Sequence, residues 1–212
     1  CSFDLSINTR ALVEEVGSID GRERFAFFHL LAWGDMDFGE LSADLGKKVD
    51  LITLGADTEL DRQLIEIIRD PLTHMIRNCA DHGLEACEER IAAGKPETGV
   101  IKVSASHEAG YITIEISDDG RGLDVEKIRR KALALGLATE AELARMPNDL
   151  VCRYIFAPGF STAAKVTSVS GRGVGMDVVR ENIESIGGSV TLSSVLGRGD
   201  RKSTRLNSSH RT

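Results

Sequence analysis

The sequence predicts an α+β fold in which helices cover one face of an antiparallel or mixed sheet. Short stretches alternate apolar and polar residues, as half-buried strands do, and longer stretches repeat apolar residues every three or four positions, as amphipathic helices do. The two kinds of stretch are interleaved along the chain and separated by glycine-containing turns. This order is typical of a sheet packed against a layer of helices.

Length and composition indicate an ordinary globular chain and exclude several classes of protein. The chain has 212 residues, of which 42% are hydrophobic and 28% charged, so we expect one substantial domain with an appendage. Its net charge is −7, and residues 1–200 alone carry 22 basic against 33 acidic residues, or −11. This acidity argues against a nucleic-acid backbone binder. No apolar run spans a bilayer, no signal peptide opens the chain, and the four cysteines form no disulfide-like framework, so a cytoplasmic location with free thiols is expected.

The first half of the chain holds an unclear segment followed by a strand and a long helix. Residues 1–40 contain a short apolar run at 25–33 among glycines, which fits either a buried helix or a buried strand. Val49–Leu54 alternates as a half-buried strand does. Residues 64–80 repeat apolar positions at helical spacing, and we expect Asp70 and Pro71 to interrupt this helix, with Pro71 starting a new turn.

The second half predicts a hairpin, further helices and a last strand. Residues 100–106 and 111–117 alternate around a turn with Gly110. Two helical stretches follow, the second opened by a Thr139/Glu142 capping box, and a short piece leads into a glycine- and serine-rich segment. The remaining ranges are helices 124–135 and 140–146, the short piece 149–156, the glycine- and serine-rich segment 159–175, a helix from Met176 that stops at Gly187, and the strand Ser189–Val195.

One side of the helix around residue 78 carries polar groups suited to chemistry. Its members are His74, Arg77, Asn78, Asp81 and His82. A plain solvated face is the alternative, but such faces favour Glu and Lys, whereas His, Asn and Asp are types used for metal, phosphate and proton transfer. The carbonyl oxygen of Asn78 suits Mg²⁺, and His74 lies one turn earlier, where it could polarise a hydroxyl or water.

Three glycine-containing segments add candidate ligand contacts. Asp118-Asp119-Gly120-Arg121-Gly122 follows a strand and is either a tight turn or a close approach to a flat ligand with an exocyclic amine. Residues 170–175 (SGRGVG) precede a helix and could offer backbone donors to phosphate, although they are neither a Walker A loop nor a Rossmann fingerprint. Residues 156–162 (FAPGFST) are either the packed base of a loop or a hinged cover over a ligand.

Taken in order, these segments resemble the ATP-binding domain of histidine kinases. The ordered motifs are H-x-x-R-N-x-x-D-H-G, D-D-G-R-G, F-x-P-G-F-S-T and S-G-R-G-V-G-M-D-V-V. They are similar to the Bergerat (GHKL) superfamily, which includes gyrase B, Hsp90 and MutL, and most similar to chemotaxis histidine kinases of the CheA type. Most sensor kinases, gyrase and MutL place a Glu where this chain has His74. The resemblance implies a Bergerat sandwich over residues 41–199, with ATP and Mg²⁺ as cofactors.

The resemblance also implies roles for individual residues. Asn78 would coordinate Mg²⁺, His74 would orient or deprotonate the phospho-acceptor, Asp118 would bind the adenine amino group, and residues 157–170 would form a mobile lid. Lys165 and Arg172 would be its cations near the transferred phosphoryl group. The implied catalytic residues are His74, Asn78, Lys165 and Arg172, and the implied ATP-binding residues are Asn78, Asp81, His82, Asp118, Gly120, Gly122, Phe160, Ser161, Thr162, Gly171, Gly173, Val174 and Gly175.

The chain departs from the resemblance at both ends. No phosphotransfer domain is evident, and residues 1–40 match poorly, as a remnant of a dimerisation region would. Residues 200–212 lack strand alternation and read like a non-native tail, so we expect the sheet to lose its last strand. We therefore expect a fragment of a homodimeric kinase that phosphorylates a histidine on a separate phosphotransfer domain.

The resemblance implies further partners, and two other functions stay open. By resemblance, the missing domains would reach chemoreceptors, a coupling protein and response regulators, while nucleic acid and membrane insertion are not expected. One alternative is a GHKL ATPase of the MutL or gyrase type, against which His74 and the acidic charge argue. The other is a catalytically incomplete nucleotide-binding module.

Overall fold

The computed structural model describes residues 24–26, 47–55, 58–160 and 175–207. Within them the strands are β1 Arg24–Ala26, β2 Val49–Leu54, β3 Glu59–Asp61, β4 Gly99–Glu108, β5 Tyr111–Asp118, β6 Ser189–Val195 and β7 Gly199–Asn207. The α-helices are α1 Arg62–Asn78, α2 Cys87–Ala92, α3 Val125–Ala134, α4 Glu140–Arg145, α5 Asn148–Cys152 and α6 Met176–Ser185. A π-helical turn, Cys79–Gly83, continues α1, and a 3₁₀ turn, Arg153–Phe156, continues α5.

A five-stranded mixed sheet forms the framework, with strand order β2-β4-β5-β7-β6. β2 runs parallel to β4, and the other neighbouring pairs are antiparallel. The predicted hairpin is confirmed as β4 and β5, and its turn residues Ala109 and Gly110 both have positive φ, at 49° and 77°. This backbone matches the twist of the strands that it joins.

Side-chain alternation gives the sheet one buried and one polar face. Ile101 and Val103 of β4 and Ile114 and Ile116 of β5 are buried, whereas Lys102 between them is exposed. The buried face packs against α1 and α6, whose core-facing residues include Ile65, Ile68, Leu72, Met75, Ile76, Val179 and Ile183. The predicted α+β class, with helices on one face of a mixed sheet, is confirmed.

The long helix does not break at Pro71. We expected Asp70 and Pro71 to interrupt it, but α1 runs continuously from Arg62 to Asn78 with Pro71 buried inside it. A proline in a helix interior costs about 3 kcal/mol because it removes a hydrogen bond and crowds the preceding turn. Buried residues lie on both sides of it, from Ile68 to Ile76, and burying each aliphatic side chain gains about 1.5–3 kcal/mol, which outweighs this cost.

The expectation that no strand forms beyond residue 199 is wrong. β7 lies inside the sheet between β5 and β6, pairing Ile114 with Thr204 and Leu192 with Lys202. Its side chains do alternate, with Lys202, Thr204 and Leu206 buried, but two of these three are polar. Burial therefore alternates along β7 as in any strand, but hydrophobicity does not, so the sequence pattern does not predict this strand. That residues 200–212 are a non-native tail stays a prediction.

A second, smaller core lies beside the first. Ile128 and Ala132 of α3 pack with Leu143, Val151 and Phe160, and Leu192 of β6 borders this cluster. The predicted capping box opens α4 as expected: the Thr139 side chain accepts from Glu142 N, and the Glu142 carboxylate accepts from Thr139 N.

The N-terminal segment is described only at Arg24–Ala26, which pairs antiparallel with β3. The interpretation of residues 1–40 as a dimerisation remnant otherwise lies outside the described residues and stays a prediction. Among the helices that the structure describes, none is long and apolar enough to cross a membrane.

Candidate functional site

Five chain segments converge at one end of the main core. They are the end of α1, the π-helical turn, the end of β5, the start of α6 and the start of β7. Asn78 Nδ2 donates to Met176 Sδ at 3.3 Å, which joins α1 to α6. Arg121 N donates to Gly83 O at 2.9 Å, which joins the segment after β5 to the π-helical turn.

The π-helical turn is held by Lys47, a residue that no sequence motif identifies. Lys47 Nζ donates to the carbonyl oxygens of Ala80, Asp81 and Leu84 at 2.8, 2.8 and 2.9 Å. Burial of the ammonium lowers the pKa of Lys47. Because a helix end leaves carbonyls without intrahelical partners, this lysine satisfies groups that would otherwise be unpaired.

Asp118 is a buried carboxylate at the base of this site. Its side chain is only 7% exposed, and Oδ1 accepts from Gly120 N at 3.0 Å and from Asp200 N at 3.4 Å. Oδ2 is buried and accepts no N–H or O–H hydrogen bond from the described residues, while the Cys79 thiol, a weak donor, interacts with the same carboxylate. A Cβ placed on Gly83 would lie 3.1 Å from Oδ2, so the absence of a side chain there keeps space beside the oxygen. Unpaired buried acceptors are costly, so this oxygen indicates a position for an incoming donor.

The two predicted glycines after Asp118 are needed for close backbone approach. A Cβ on Gly120 would lie 2.1 Å from Gly83 O, and one on Gly122 would lie 2.5 Å from Val195 O. Gly122 also has a φ of 69°, which favours glycine. These glycines let the segment after β5 pack against the π-helical turn on one side and the β6–β7 hairpin on the other.

Three further polar side chains lie behind Asp118. Lys202 Nζ is 3.6 Å from Cys79 Sγ and 3.8 Å from Asp200 Oδ2. Burial alone would lower the pKa of Lys202, but the acidic groups of Cys79, Asp200 and Asp118 outweigh it and raise that pKa. Burial raises the pKa of Asp200 and raises that of the Cys79 thiol to about 12. Cys79 is therefore a packed thiol and not a nucleophile at neutral pH.

The predicted polar side of α1 does reach the site, and its side chains differ in how much of them is exposed to solvent. His74 and Asn78 are half-buried, Asp81 is half-buried with Oδ1 lacking a partner among the described residues, and His82 is exposed. Burial lowers the pKa of His74, and the positive charge of Arg77 adds to this effect. His74 is therefore neutral at pH 7, as a proton acceptor must be.

Replacing His74 with glutamine is expected to flatten the pH dependence of stability below about pH 6.5. The folded chain resists protonating His74, whereas the unfolded chain does not. The stabilisation is therefore full above the unfolded pKa and is lost as the pH falls below it, by at most about 1.4 kcal/mol per pH unit. Urea unfolding at pH 5.5 and 7.5 measures the change. The exposed His107, replaced by glutamine, is the matched control for the loss of one histidine.

Of the remaining predicted site residues, two are described by the structure and seven are not. Gly175 is buried and caps the start of α6, whereas Phe160 packs in the smaller core beneath Lys131, whose Nζ lies 5.0 Å from the ring centre. Seven predicted residues lie outside the described residues, so their roles stay predictions: Ser161, Thr162, Lys165, Gly171, Arg172, Gly173 and Val174.

The site also contains a charged group that sequence reasoning missed. A connected set of ion pairs lies beneath the turn formed by residues 118–120, which we call the Asp118 turn. Its members are Glu85, Arg90, Lys95 and Asp119. Nothing in the local pattern distinguishes Arg90 from a solvated helix residue, although its side chain is 1% exposed. Within the part of the chain that the structure describes, no three His, Cys, Asp or Glu side chains group as a metal site.

The sequence is similar to several chemotaxis proteins. It is 48% identical over 167 residues to the chemotaxis protein CheA of Bacillus subtilis, covering 79% of this chain and 25% of that protein. It is 52% identical over 160 residues to CheA of Salmonella typhimurium, covering 76% of this chain and 23% of that protein. For the sensor histidine kinase CheAY of Helicobacter pylori the identity is 47%, covering 79% and 21%. The chain thus spans about a quarter of the length of these relatives.

The fold is similar to that of several solved histidine kinase domains. The catalytic domain of histidine kinase ThkA has a TM-score of 0.53 at 16% identity, covering 89% of this chain and 97% of that chain. The mycobacterial sensor histidine kinase MprB has a TM-score of 0.50 at 13% identity, covering 87% and 97%. The family model described as "Histidine kinase-, DNA gyrase B-, and HSP90-like ATPase" matches residues 67–209, which include most of α1, the Asp118 turn and β7. The motif resemblance is confirmed, and the chain belongs to this family of ATPases.

Proposed function

We propose that this chain is the Mg-ATP-binding catalytic domain of a chemotaxis histidine kinase. It transfers the γ-phosphoryl group of ATP to a histidine on a separate phosphotransfer domain. The main support for an ATP site is Asp118 Oδ2. This buried carboxylate oxygen accepts no N–H or O–H hydrogen bond in the described structure and lies beside Gly83. The exocyclic amine of adenine supplies the donor that this oxygen needs. The names of the similar proteins support the kinase assignment.

Asn78 is the proposed protein ligand of Mg²⁺. Its amide nitrogen donates to Met176 Sδ, so its carbonyl oxygen is the side of the amide left for a cation. Magnesium typically takes one or two protein oxygens and completes its shell with phosphates and water, so a single amide at a helix end fits it. The bound ion would supply charge neutralisation between the phosphates. Asp81, with a buried oxygen lacking a partner in the described structure, lies on the next turn and contacts the nucleotide in this proposal, as does the exposed His82.

His74 is the proposed residue that positions the phospho-acceptor. Neutral His74 can accept the N–H proton of the acceptor imidazole while the other imidazole nitrogen attacks the γ-phosphorus. The bond from that phosphorus to the bridging oxygen breaks, and ADP leaves with the electron pair. The proposed lid, residues 157–170 with Lys165, would close over this step, and Arg172 would add a second cation.

Replacing Asn78 with alanine is expected to weaken Mg-ATP binding about tenfold, or about 1.4 kcal/mol, because it removes one charge-assisted contact. Isothermal titration with Mg-ATP measures the affinity, and a titration with ATP in EDTA separates the magnesium-dependent part. Asn182 of α6, replaced by alanine, is a matched control that should bind as the wild type does. Undiminished binding by the Asn78 variant, or no binding by the wild type, would contradict the proposal.

Phosphotransfer is tested separately from binding. The chain is incubated with radiolabelled ATP and a purified histidine phosphotransfer domain from a chemotaxis kinase. Label on the acceptor histidine supports the kinase, and the His74→Gln variant should transfer more slowly while still binding ATP. Rapid ATP hydrolysis without transfer would instead favour an ATPase of the gyrase or MutL type, and binding without either reaction a catalytically incomplete module.

A further inference from the structure

The ion pairs beneath the Asp118 turn are centred on Arg90. Arg90 projects from the short helix α2, and its guanidinium reaches five acceptors. The distances are 2.8 Å to Pro96 O, 3.1 Å to Glu85 Oε2, 2.8 Å to Asp119 Oδ2, 3.3 Å to Thr98 O and 3.4 Å to Asp119 O. An arginine has five N–H donors in a fixed fork, so this side chain is used in full.

Lys95 completes the contacts from the next loop. Its Nζ donates to Glu85 Oε1 at 2.8 Å, to Asp119 O at 2.9 Å and to Gly120 O at 2.7 Å. A lysine has three N–H donors, so it too is fully used. Two consecutive carbonyls of the turn are therefore drawn toward one ammonium group.

These contacts fix the direction in which the turn faces. Asp119 points away from the site, since Oδ1 accepts from Val100 N at 2.9 Å and Oδ2 from Arg90. The carbonyl of Gly120 faces Lys95, while its N–H faces Asp118 Oδ1 at 3.0 Å. Asp118 is thus held with Oδ1 occupied and Oδ2 presented beside Gly83.

This group pairs two basic side chains with two acidic ones. Arg90 and Lys95 share Glu85, and Arg90 also binds Asp119. Burial alone would raise the pKa of Glu85, but the hydrogen bond from Lys95 and the charges of Lys95 and Arg90 outweigh burial and lower it. The Arg90 guanidinium at the centre of this group is buried and uses all five of its donors, and a satisfied network of this kind fixes one local arrangement.

We propose that Arg90 and Lys95 are positioning residues that give the nucleotide site its preference for adenine. They touch neither the nucleotide nor the reacting atoms, and they act by holding the Asp118-Asp119-Gly120 turn. This inference rests on the proposed function. Loss of Lys95 frees the carbonyls of Asp119 and Gly120, so the turn samples orientations in which Oδ2 no longer meets the base.

The test compares ATP with inosine triphosphate, which carries a carbonyl where adenine has its amine. Lys95→Met should bind Mg-ATP about tenfold more weakly than the wild type and Mg-inosine triphosphate within about twofold of it, because only the amine depends on Oδ2. Lys95→Arg, which keeps the charge, should recover part of the ATP preference. Lys102→Met, on the exposed face of β4, is the matched control and should change neither affinity.

The outcomes distinguish a failure of this inference from a failure of the proposed Mg-ATP-binding function. A wild type that fails to bind Mg-ATP overturns both. A wild type that binds, with a Lys95→Met variant whose ratio of ATP to inosine triphosphate affinity is unchanged, overturns only the positioning role. Equal weakening for both nucleotides also overturns it, since that indicates general loss of structure. If Lys95→Met does not fold, the same ratio measured on Glu85→Gln decides, with the same fall expected.

Discussion

Replacing Asp118 with asparagine is expected to weaken Mg-ATP binding about a hundredfold and to reverse the preference between ATP and inosine triphosphate. Oδ1 keeps its place, because Gly120 N and Asp200 N both donate to it and an amide oxygen can accept those bonds. The amide nitrogen must then occupy the position of Oδ2. A donor would face the adenine amine, which is also a donor, while it would match the carbonyl of inosine triphosphate.

The size of this effect follows from burial. Asp118 is 7% exposed, so neither of two facing donors can turn to water. Burying an unpaired polar group costs about 1–3 kcal/mol, and a site built to bond one ligand group rejects analogues that lack it by large factors. A hundredfold loss corresponds to about 2.7 kcal/mol, which lies within that range.

Competition titration with both nucleotides measures the expected reversal. Asp50→Asn, an exposed carboxylate on β2, is the control for the loss of one negative charge. Gly83→Ala gives a second, independent measurement, since its Cβ would lie 3.1 Å from Oδ2 and fill the space that a base must enter. If Asp118→Asn keeps the wild-type ratio of affinities, Oδ2 does not bind the base.

The sequence predicts those parts of the fold in which burial and polarity alternate together. The core-facing residues of β2, β4, β5 and β6 are mostly apolar, and the predicted bounds of these strands agree with the structure to within a few residues. The candidate site is also visible where chemistry demands particular residue types, as at Asn78 and Asp118. The roles of these residues stay predictions, but the structure does bring His74, Asn78 and Asp118 to the same end of the core.

The sequence hides β7 and the positioning network for a common reason. Polar residues are ordinarily exposed, so hydrophobic periodicity predicts an exposed position for each of them. This applies to Lys202, Thr204, Arg90 and Lys95. Their burial depends on partners far away in the chain, such as Cys79 for Lys202 and Asp119 for Arg90. The π-helical turn is hidden in the same way, because the lysine that binds its carbonyls lies 33 residues before Ala80.

Replacing Gly199 with alanine is expected to destabilise the chain by about 3 kcal/mol or more and to weaken ATP binding with it. Gly199 has a φ of 101°, and a Cβ there would lie 1.9 Å from Asp118 O. Because the obstacle is backbone, no side-chain rotation relieves it, and β7 or the end of β5 must move. Either movement displaces Asp118, whose Oδ1 accepts from the neighbouring Asp200 N.

Gly197 separates the effect of this contact from the effect of backbone strain alone. It lies in the same hairpin with a φ of 78°, but a Cβ there would meet nothing within 4 Å. Gly197→Ala should therefore cost only the left-handed strain of about 1–2 kcal/mol and leave ATP affinity unchanged. Thermal unfolding and nucleotide titration of both variants measure the difference. Equal losses of stability in the two variants would mean that the backbone contact between Gly199 and Asp118 O does not constrain Asp118.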